Sequence, residues 1–262
     1  MNQPKPQADL SYLNNFLAKL GKKRVYDEEF QRTKLNKIIN LIAVDDWHQA
    51  QIGRANVEIY FNNNEIGIEI LEDVLRKTDY KSIMAWDMLI DTYMQMGNLE
   101  KILSTFIRYS NIGLEPTSEQ RKVLLHAIGV YLMKDLAESI SNPSPNIIES
   151  KKLITYHLEQ LEDLDISLEI YRKFISQIYN IFYAKFNGTV QPLLNFSDCE
   201  LVIRVNSTVN SAEDLFELNN LYRDSIMSWY EKSNIDEQEQ IEKITVYFKH
   251  KNFESIDQEA SV

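Results

Sequence analysis

The sequence predicts a mainly α protein, an α-solenoid of stacked antiparallel helical hairpins with a small C-terminal α/β module of strand-helix-strand type. Three observations lead to this fold class. The 262 residues include only 7 glycines and 6 prolines, so tight turns are few. No proline lies between residues 7 and 115, and a helix interior disfavours proline by about 3 kcal/mol, so this stretch is free to be helical. Its apolar residues recur every three or four positions, as on the buried face of a helix.

Successive apolar stripes indicate the helices one by one. The first stripe runs from Leu10 to Leu20 and ends at Gly21, a typical C-terminal cap. The second includes Phe30 as a core position and ends near Asp45. Further helical runs cover about 45–62, 65–77, 84–93, 99–107, 118–140, 147–161 and 168–182. Because the connections are short, neighbouring helices are expected to form antiparallel hairpins.

The pattern changes after residues 187–188. Residues 200–205 and 243–249 alternate between apolar and polar side chains, which is typical of strands. Between them, Ser211 precedes a helical stripe with acidic residues in its first turn, the signature of a helix start. A connection this long permits a parallel strand pair, but two strands alone are marginally stable. Either another strand near Val190 completes the sheet, or the pair packs on the helices.

A helix-turn-helix unit recurs at a spacing of about 33 residues. Tyr60 and Tyr93 each end a predicted helix. Each is followed four positions later by a residue that tolerates a positive φ, Asn64 in one case and Gly97 in the other. A single unit of this kind cannot bury its apolar face alone, so successive units are expected to stack.

The segment 84–116 has the most complete set of packing residues: Trp86, Leu89, Tyr93, Gly97, Leu99, Phe106, Gly113 and Pro116. Their spacing resembles one repeat of the tetratricopeptide/pentatricopeptide superfamily, with Ile102 where that family has a small alanine. The resemblance implies that the first helix of each hairpin lines a concave binding face. Residues 113–119 also resemble the end of the tetratricopeptide-like domain of bacterial transcriptional activators.

These patterns predict four segments. Residues 1–24 contain an N-terminal helix, and residues 25–186 form the helical-repeat domain. Residues 188–253 form the small α/β module, and residues 254–262 are expected to be a flexible tail.

The charge balance narrows the classes of function. The chain has 28 Lys and Arg against 39 Asp and Glu, a formal net charge of -11. An acidic protein repels a phosphate backbone, which disfavours sequence-independent nucleic-acid binding, although a local basic patch would still permit it. No secretory or transit pattern and no apolar window of about 18 residues is present, so we expect a cytoplasmic protein without a membrane segment.

The candidate binding residues lie on the first helix of the 84–116 unit. Asp87, Asp91 and Gln95 are placed away from the stripe that contains Trp86. Two carboxylates one helical turn apart attract a basic peptide, although they could equally serve only to keep a helix face soluble. The leading hypothesis is therefore a non-enzymatic interaction protein, a scaffold or adaptor that binds a protein or peptide segment on its concave face.

Two alternatives remain open from the sequence. Arg121 and His126 match the Arg-x4-His pattern of a family of helical ribonuclease domains, in which His would act as acid or base and Arg would bind phosphate. The chain would then be an RNA-binding or RNA-processing protein. The similarity of residues 113–119 suggests the second alternative, the partner-sensing domain of a regulator.

The sequence assigns no catalytic residue, metal or cofactor. The four histidines have no metal-binding spacing, and no two glycines lie close enough to form a phosphate loop. The single cysteine, Cys199, leads a predicted strand, where a small buried role is expected.

Overall fold

The computed structural model describes residues 10–19, 29–113, 118–139 and 145–251. These ranges are mainly helical, with a small sheet towards the C-terminal end, as the sequence predicts. The helices are α1 (Leu10–Lys19), α2 (Glu29–Asp45), α3 (Trp47–Tyr60), α4 (Asn64–Lys77), α5 (Ile83–Gln95), α6 (Leu99–Asn111), α7 (Ser118–Val130), α8 (Lys134–Ser139), α9 (Pro145–Asp163), α10 (Leu168–Lys185), α11 (Ala212–Tyr230) and α12 (Ile235–Glu242). The strands are β1 (Val190–Phe196), β2 (Leu201–Ser207) and β3 (Ile244–His250).

The chain divides into two compact units, and the first comprises Met1–Gln95, Glu100–Pro116 and Ala184–Asn187. Consecutive helices pack against each other from α1 to α5. In addition, α3 packs against both α1 and α5, so it lies at the centre of this group. The core consists of the aliphatic and aromatic stripes that the sequence indicates, with Leu35, Ile39, Leu71, Val74 and Leu89 all fully buried.

Two glycines of the first unit allow helices to approach closely. A Cβ at Gly67 of α4 would lie 2.6 Å from Ile59 of α3 and 3.1 Å from the Ala55 carbonyl oxygen. A Cβ at Gly53 of α3 would lie 3.0 Å from the Leu13 side chain of α1. The missing side chains therefore let α3 pack closely against a helix on either side.

Helices α5 and α6 form an antiparallel hairpin. The connection between them contains Gly97, whose φ of +61° favours glycine. Trp86 near the start of α5 meets Tyr109 near the end of α6, with ring centroids 5.7 Å apart. The guanidinium of Arg108 donates two hydrogen bonds, of 2.7 and 2.9 Å, to the carboxylate of Glu72 on α4. This hairpin is thus joined to the preceding one by a bidentate ion pair.

The second unit comprises Met96–Leu99, Thr117–Tyr183 and Gly188–Val262. Its sheet has the strand order β1-β2-β3. Strands β1 and β2 are antiparallel, with Val190 opposite Ser207, whereas β2 and β3 are parallel, with Leu201 beside Ile244. The structure confirms the predicted strand near Val190, and α11 begins after Ser211, whose side chain accepts from the Asp214 backbone N–H.

The sheet and the helices of this unit share one core. The Phe174 ring of α10 lies 5.3 Å from Trp229 of α11, and the Tyr222 ring of α11 lies 5.8 Å from Phe248 of β3. Asn219 also donates to the Phe248 carbonyl and accepts from its N–H. Most of α10, up to Tyr183, therefore belongs to the same compact unit as the sheet. The domain boundary at residues 186–188 stays a prediction from the sequence.

Several local predictions are wrong. Phe30 is 68% exposed, because the face of α2 that is buried contains Leu35, Ile39 and Ile42. The left-handed residue after α3 is Asn62, with a φ of 63°, and not Asn64, which begins α4. The run 118–140 is two helices, because Leu132 adopts a φ of 50° and interrupts it.

Cys199 is also predicted wrongly, since it is exposed in the turn between β1 and β2. The predicted cap Gly21, the repeat residue Pro116 and the tail 254–262 lie outside the described residues. Within the described ranges, no helix combines the length and the apolar character needed to cross a membrane.

Candidate functional site

The first unit contains a cleft enclosed by α1, α3 and α5, which we call the acidic cleft. Its volume is about 270 Å³. Helix α1 contributes Leu10 and Asn14, and α3 contributes Ile52, Asn56 and Ile59. The lining from α5 consists of Met84, Asp87, Met88, Asp91, Thr92 and Gln95. The three side chains that the sequence analysis assigns to partner binding therefore line one cleft together.

Burial of the opposite face of α5 fixes this orientation. Trp86 and Leu89 are completely buried, and Trp86 Nε1 donates a 2.9 Å hydrogen bond to the Tyr80 carbonyl oxygen. Residues at spacings of four on a helix share a face, so Asp87, Asp91 and Gln95 project together from α5. Their common direction is a consequence of the core that holds the helix.

The other walls of the acidic cleft combine an apolar floor with amides. Ile52 and Ile59 of α3 are buried, and Thr92 of α5 is buried beside them. Asn56 of α3 donates a 2.9 Å hydrogen bond to the side-chain oxygen of Asn14 on α1. This bond joins two walls of the cleft near its rim.

The electrostatics of the acidic cleft favour a cation. Asp91 is exposed at the cleft surface, but the surrounding protein desolvates its carboxylate and raises its pKa to about 6, and the charge of Asp87 raises it further. Among the described residues that line the cleft there is no lysine or arginine. A cation placed between the two carboxylates would relieve their repulsion and return the pKa of Asp91 towards its ordinary value.

A second and larger space lies within the second unit, and we call it the amphipathic cavity. Its volume is about 600 Å³. Residues from α7, α9, α10, β1 and β2 line it. The lining mixes aliphatic side chains with polar ones, and the polar members include His126, His157, Tyr171, Asn195 and Arg204.

Helix α10 contributes a tyrosine hydroxyl to each of two hydrogen bonds beside this cavity. The Tyr171 hydroxyl donates a 2.6 Å hydrogen bond to the Val130 carbonyl oxygen. His126 Nε2 is hydrogen-bonded to the Tyr179 hydroxyl at 2.7 Å. Burial lowers the pKa of both His126 and His157, so the two imidazoles are neutral near pH 7.

The candidate nuclease residues Arg121 and His126 are placed apart by the geometry of α7. Five residues correspond to about 140° of rotation around a helix axis, so the two side chains leave α7 on different faces. His126 lines the amphipathic cavity, whereas Arg121 is exposed and is not among the described residues that line it. The two side chains therefore do not face a common space.

The sequence analysis missed Arg204, His157 and Asn195 as members of one site. They lie on β2, α9 and β1, and no local spacing connects them. The one available signal was the alternation of β2, in which Leu201, Ile203 and Val205 are buried and Arg204 lies on the opposite face. In the described part of the chain, no group of three or more His, Cys, Asp or Glu side chains could hold a metal ion.

No family model, no curated protein and no solved structure matches this chain. The resemblance of residues 84–116 to a tetratricopeptide/pentatricopeptide repeat therefore stays a prediction from the sequence.

Proposed function

We propose that this chain is a non-enzymatic interaction protein whose helical hairpins stack as a solenoid, and that its acidic cleft binds a lysine or arginine side chain of a partner segment. The single observation that supports this function most directly is the placement of Asp87, Asp91 and Gln95 in one cleft. The protein would then act as a scaffold or adaptor, through contact and charge complementarity alone.

The identity of the helices around the cleft supports the solenoid part of the proposal. In stacked hairpins, the first helix of each pair faces the concave side. Paired in chain order, the helices of the first unit give α1, α3 and α5 as first helices, and these three line the cleft. The packing of α3 against α1 and α5 also agrees with a row of first helices. The concave face would therefore carry the acidic pair on α5, the third of these first helices.

The size and chemistry of the cleft support a lysine or arginine side chain of the partner as its ligand. At about 270 Å³ the cleft lies below the range of about 300–1,000 Å³ typical of small-molecule pockets. A single long side chain suits such a volume. Its cationic head would lie between Asp87 and Asp91, and its alkyl stem would pack along Met84 and Met88.

Selection of binding peptides tests the proposal. A random 16-residue peptide library displayed on phage is selected against the full chain, and enriched peptides are measured by isothermal titration. We expect a lysine or arginine that cannot be replaced by alanine in every enriched peptide. Reversing the cleft charge with Asp87→Lys and Asp91→Lys should weaken binding by about 30-fold or more, as for removal of a desolvated charge partner.

A matched variant separates the cleft from the bulk charge. Glu65 and Glu69 of α4 are also exposed carboxylates one turn apart, and Glu65→Lys with Glu69→Lys changes the net charge equally. We expect that variant to bind within about threefold of wild type, since exposed charges contribute little. Equal losses in both variants would contradict the proposal, as would enriched peptides that lack a basic residue.

A further inference from the structure

We propose that the outer edge of β1 binds an extended peptide segment of a partner protein, which pairs with β1 as an additional strand and places aliphatic side chains in the amphipathic cavity. This surface lies entirely in the second unit and does not involve the acidic cleft. Three features support it: the direction of the backbone groups of β1, the course of the cavity along this strand and the aliphatic part of the lining.

The hydrogen bonds at the two ends of the β1–β2 pair show which backbone groups of β1 point outwards. At one end, the Thr208 N–H donates to the Thr189 carbonyl oxygen at 3.2 Å. At the other, the Ser197 N–H donates to the Glu200 carbonyl oxygen at 3.0 Å. In an antiparallel pair, residues that share hydrogen bonds alternate with residues that do not. The odd-numbered residues of β1 therefore bond to β2, and its even-numbered residues direct their backbone groups away from β2.

Two residues near the end of β1, Leu194 and Phe196, thus each direct an N–H and a carbonyl oxygen outwards. Within the described ranges, no hydrogen bond joins these outward groups to another element. Such an edge is a template for pairing with a further strand. At the opposite edge of the sheet, by contrast, the side chain of Asn219 bonds to both the N–H and the carbonyl oxygen of Phe248. The sheet is therefore blocked at this position of β3 and open along this part of β1.

The amphipathic cavity follows the edge of β1. All five consecutive residues from Gln191 to Asn195 line it. Successive side chains of a strand project to opposite faces, so a space above one face would be lined by alternate residues only. Gln191 and Asn195 are also exposed, and Leu153, which lines the cavity from α9, is 52% exposed. The cavity is therefore a groove along the strand that is open to solvent, as the entry of a peptide requires.

The volume and the lining of this groove suit a short extended segment with aliphatic side chains. A strand residue takes about 3.3 Å along the strand, about 4.8 Å between strands and about 10 Å across the sheet, or about 160 Å³. The volume of about 600 Å³ therefore accommodates about four residues. Aliphatic side chains of α7, α9 and β1 line it: Leu125, Leu153, Ile154, Leu193 and Leu194. The described lining includes no aspartate or glutamate, so it does not favour lysine or arginine side chains of a partner.

Pro192 favours a foreign segment over a second copy of this chain. Proline has no N–H, and Pro192 lies among the outward-pointing residues of β1. Two copies of β1 paired over their full length about a two-fold axis would meet this missing donor twice, once in each strand. A partner segment meets it once, and it avoids the position altogether when it pairs only with Leu194 and Phe196.

Hydrogen exchange measured by NMR on the free chain tests whether this edge is open. Leu193 and Asn195 direct their amides towards β2, whereas Leu194 and Phe196 direct theirs away from it. We expect the amides of Leu194 and Phe196 to exchange at least about tenfold faster than those of Leu193 and Asn195. Equal protection of all four amides would show that the edge is already covered, by the chain itself or by a second copy, and would overturn the inference.

Peptide selection tests the partner segment. A random eight-residue peptide library displayed on phage is first depleted of phage that bind the Leu194→Pro chain and is then selected on the wild-type chain. Proline at position 194 removes one outward N–H and leaves the hydrogen bonds to β2 in place. We expect enriched peptides with aliphatic residues at alternate positions. Addition of such a peptide should slow hydrogen exchange at Leu194 and Phe196.

Two matched comparisons make the result specific to strand pairing. Leu194→Ala shortens the same side chain but keeps the N–H, so an enriched peptide should bind this variant at least about tenfold more tightly than Leu194→Pro. Circular dichroism and thermal melting confirm that both variants are folded. The peptide itself is N-methylated either at its odd-numbered or at its even-numbered residues. Because alternate N–H groups of a strand point to opposite edges, only one of the two methylated peptides should lose binding.

Four further outcomes would overturn the inference. The first is the absence of any enriched peptide, and the second is equal affinity of a peptide for Leu194→Ala and a folded Leu194→Pro. The third is loss of binding by both methylated peptides or by neither, which would exclude pairing through one edge of an extended strand. The fourth is a wild-type dimer in sedimentation velocity that Leu194→Pro converts to a monomer, which would assign the edge to a second copy of this chain.

Discussion

The acidic cleft and the amphipathic cavity differ in charge, in size and in the way the chain builds them. The cleft contains two carboxylates within about 270 Å³, whereas the cavity contains one guanidinium and two neutral imidazoles within about 600 Å³. Three helices line the cleft, and residues from three helices and two strands line the cavity. The same acidic chain therefore contains two spaces whose described linings carry formal charges of opposite sign.

This difference shows that net charge describes the electrostatic interactions of a protein only at long range. Within a cleft, a few desolvated groups dominate, because charges interact more strongly where water is excluded. A value of -11 gives no indication that the described lining of the amphipathic cavity includes an arginine and no aspartate or glutamate. Charge complementarity to a ligand must therefore be considered site by site.

The largest expected effect comes from removing the support under the acidic cleft. Trp86→Ala should lower the free energy of unfolding by about 4 kcal/mol, because it removes a fully buried indole and the hydrogen bond from Nε1 to Tyr80. Urea denaturation measures the loss. Ile83→Ala on the same helix, at a residue that is 43% exposed, is the control and should cost far less. Similar losses in the two variants would show that Trp86 does not hold α5 in place.

A smaller effect is expected from the polar wall of the amphipathic cavity. Tyr171→Phe deletes the hydroxyl that donates to the Val130 carbonyl oxygen at 2.6 Å. The free energy of unfolding should fall by about 1.5 kcal/mol, since a partly buried carbonyl is left without that donor. Tyr156→Phe removes a hydroxyl from a tyrosine that is 50% exposed and should cost little in the same denaturation experiment. A loss below about 0.5 kcal/mol for Tyr171→Phe would contradict this assignment.

Removing one carboxylate should stabilise the acidic cleft. The folded pKa of Asp91, about 6, lies above its ordinary value of 3.8, so the folded state holds the proton more tightly than the unfolded state. The wild type should therefore lose stability as pH rises from about 4 to about 6. Asp91→Asn should gain about 1 kcal/mol at pH 8, because a pKa raised to about 6 corresponds to at most about 3 kcal/mol, which solvent screening of this exposed side chain reduces.

The pH dependence of that gain is the decisive measurement. Denaturation at pH 8 and at pH 4 should show the advantage of Asp91→Asn only at the higher pH. Asp73→Asn is the control, because the carboxylate of Asp73 pairs with Lys77 at 2.7 Å and its pKa is lowered by this lysine. That control should bring no stabilisation. An equal gain at both pH values would mean that repulsion from Asp87 and burial do not act on Asp91.

The amphipathic cavity should respond to acid in the opposite direction, although more weakly. Burial lowers the folded pKa of His126 and His157 below the ordinary value of 6.5, so the unfolded state takes up protons first as the pH falls. Stability contributed by the neutral imidazoles is therefore complete above pH 6.5 and is lost as the pH falls through the lower folded values. His126→Gln with His157→Gln should flatten the stability curve between pH 7.5 and pH 5.5, measured by urea denaturation. An unchanged slope would contradict the prediction.

Much of the helical part was predictable because its signals are local. The bounds of α2 and α4 follow from apolar spacing, and Gly97 adopts the positive φ that its position between two helices requires. The common face of Asp87, Asp91 and Gln95 also follows from spacing alone, because residues four apart project together from a helix. Burial of the opposite face of α5 was equally predictable, since Trp86 and Leu89 are buried as the apolar stripe predicts.

Predictions failed where a local pattern depends on distant neighbours. Phe30 fits an apolar stripe, yet it is exposed, because a stripe is buried only where other elements cover it. Leucine is not a residue type that marks a turn, so the sequence does not indicate the positive φ of Leu132. Such a backbone conformation persists only because the surrounding structure holds it. Cys199 borders a strand pattern, but the turn between β1 and β2 leaves it exposed.

The sequence by itself determined the mainly helical class, the existence of the sheet and the shared face of Asp87, Asp91 and Gln95, because these depend on periodicities of 3.6 and 2 residues. Only the tertiary structure decided that α1 and α3 enclose that acidic face, and that α10 joins the α/β module in one core. It also decided that Arg204 and His157 face the same cavity. Such placements depend on which surfaces of different elements bury each other. The residue spacing within a single helix or strand therefore cannot predict them.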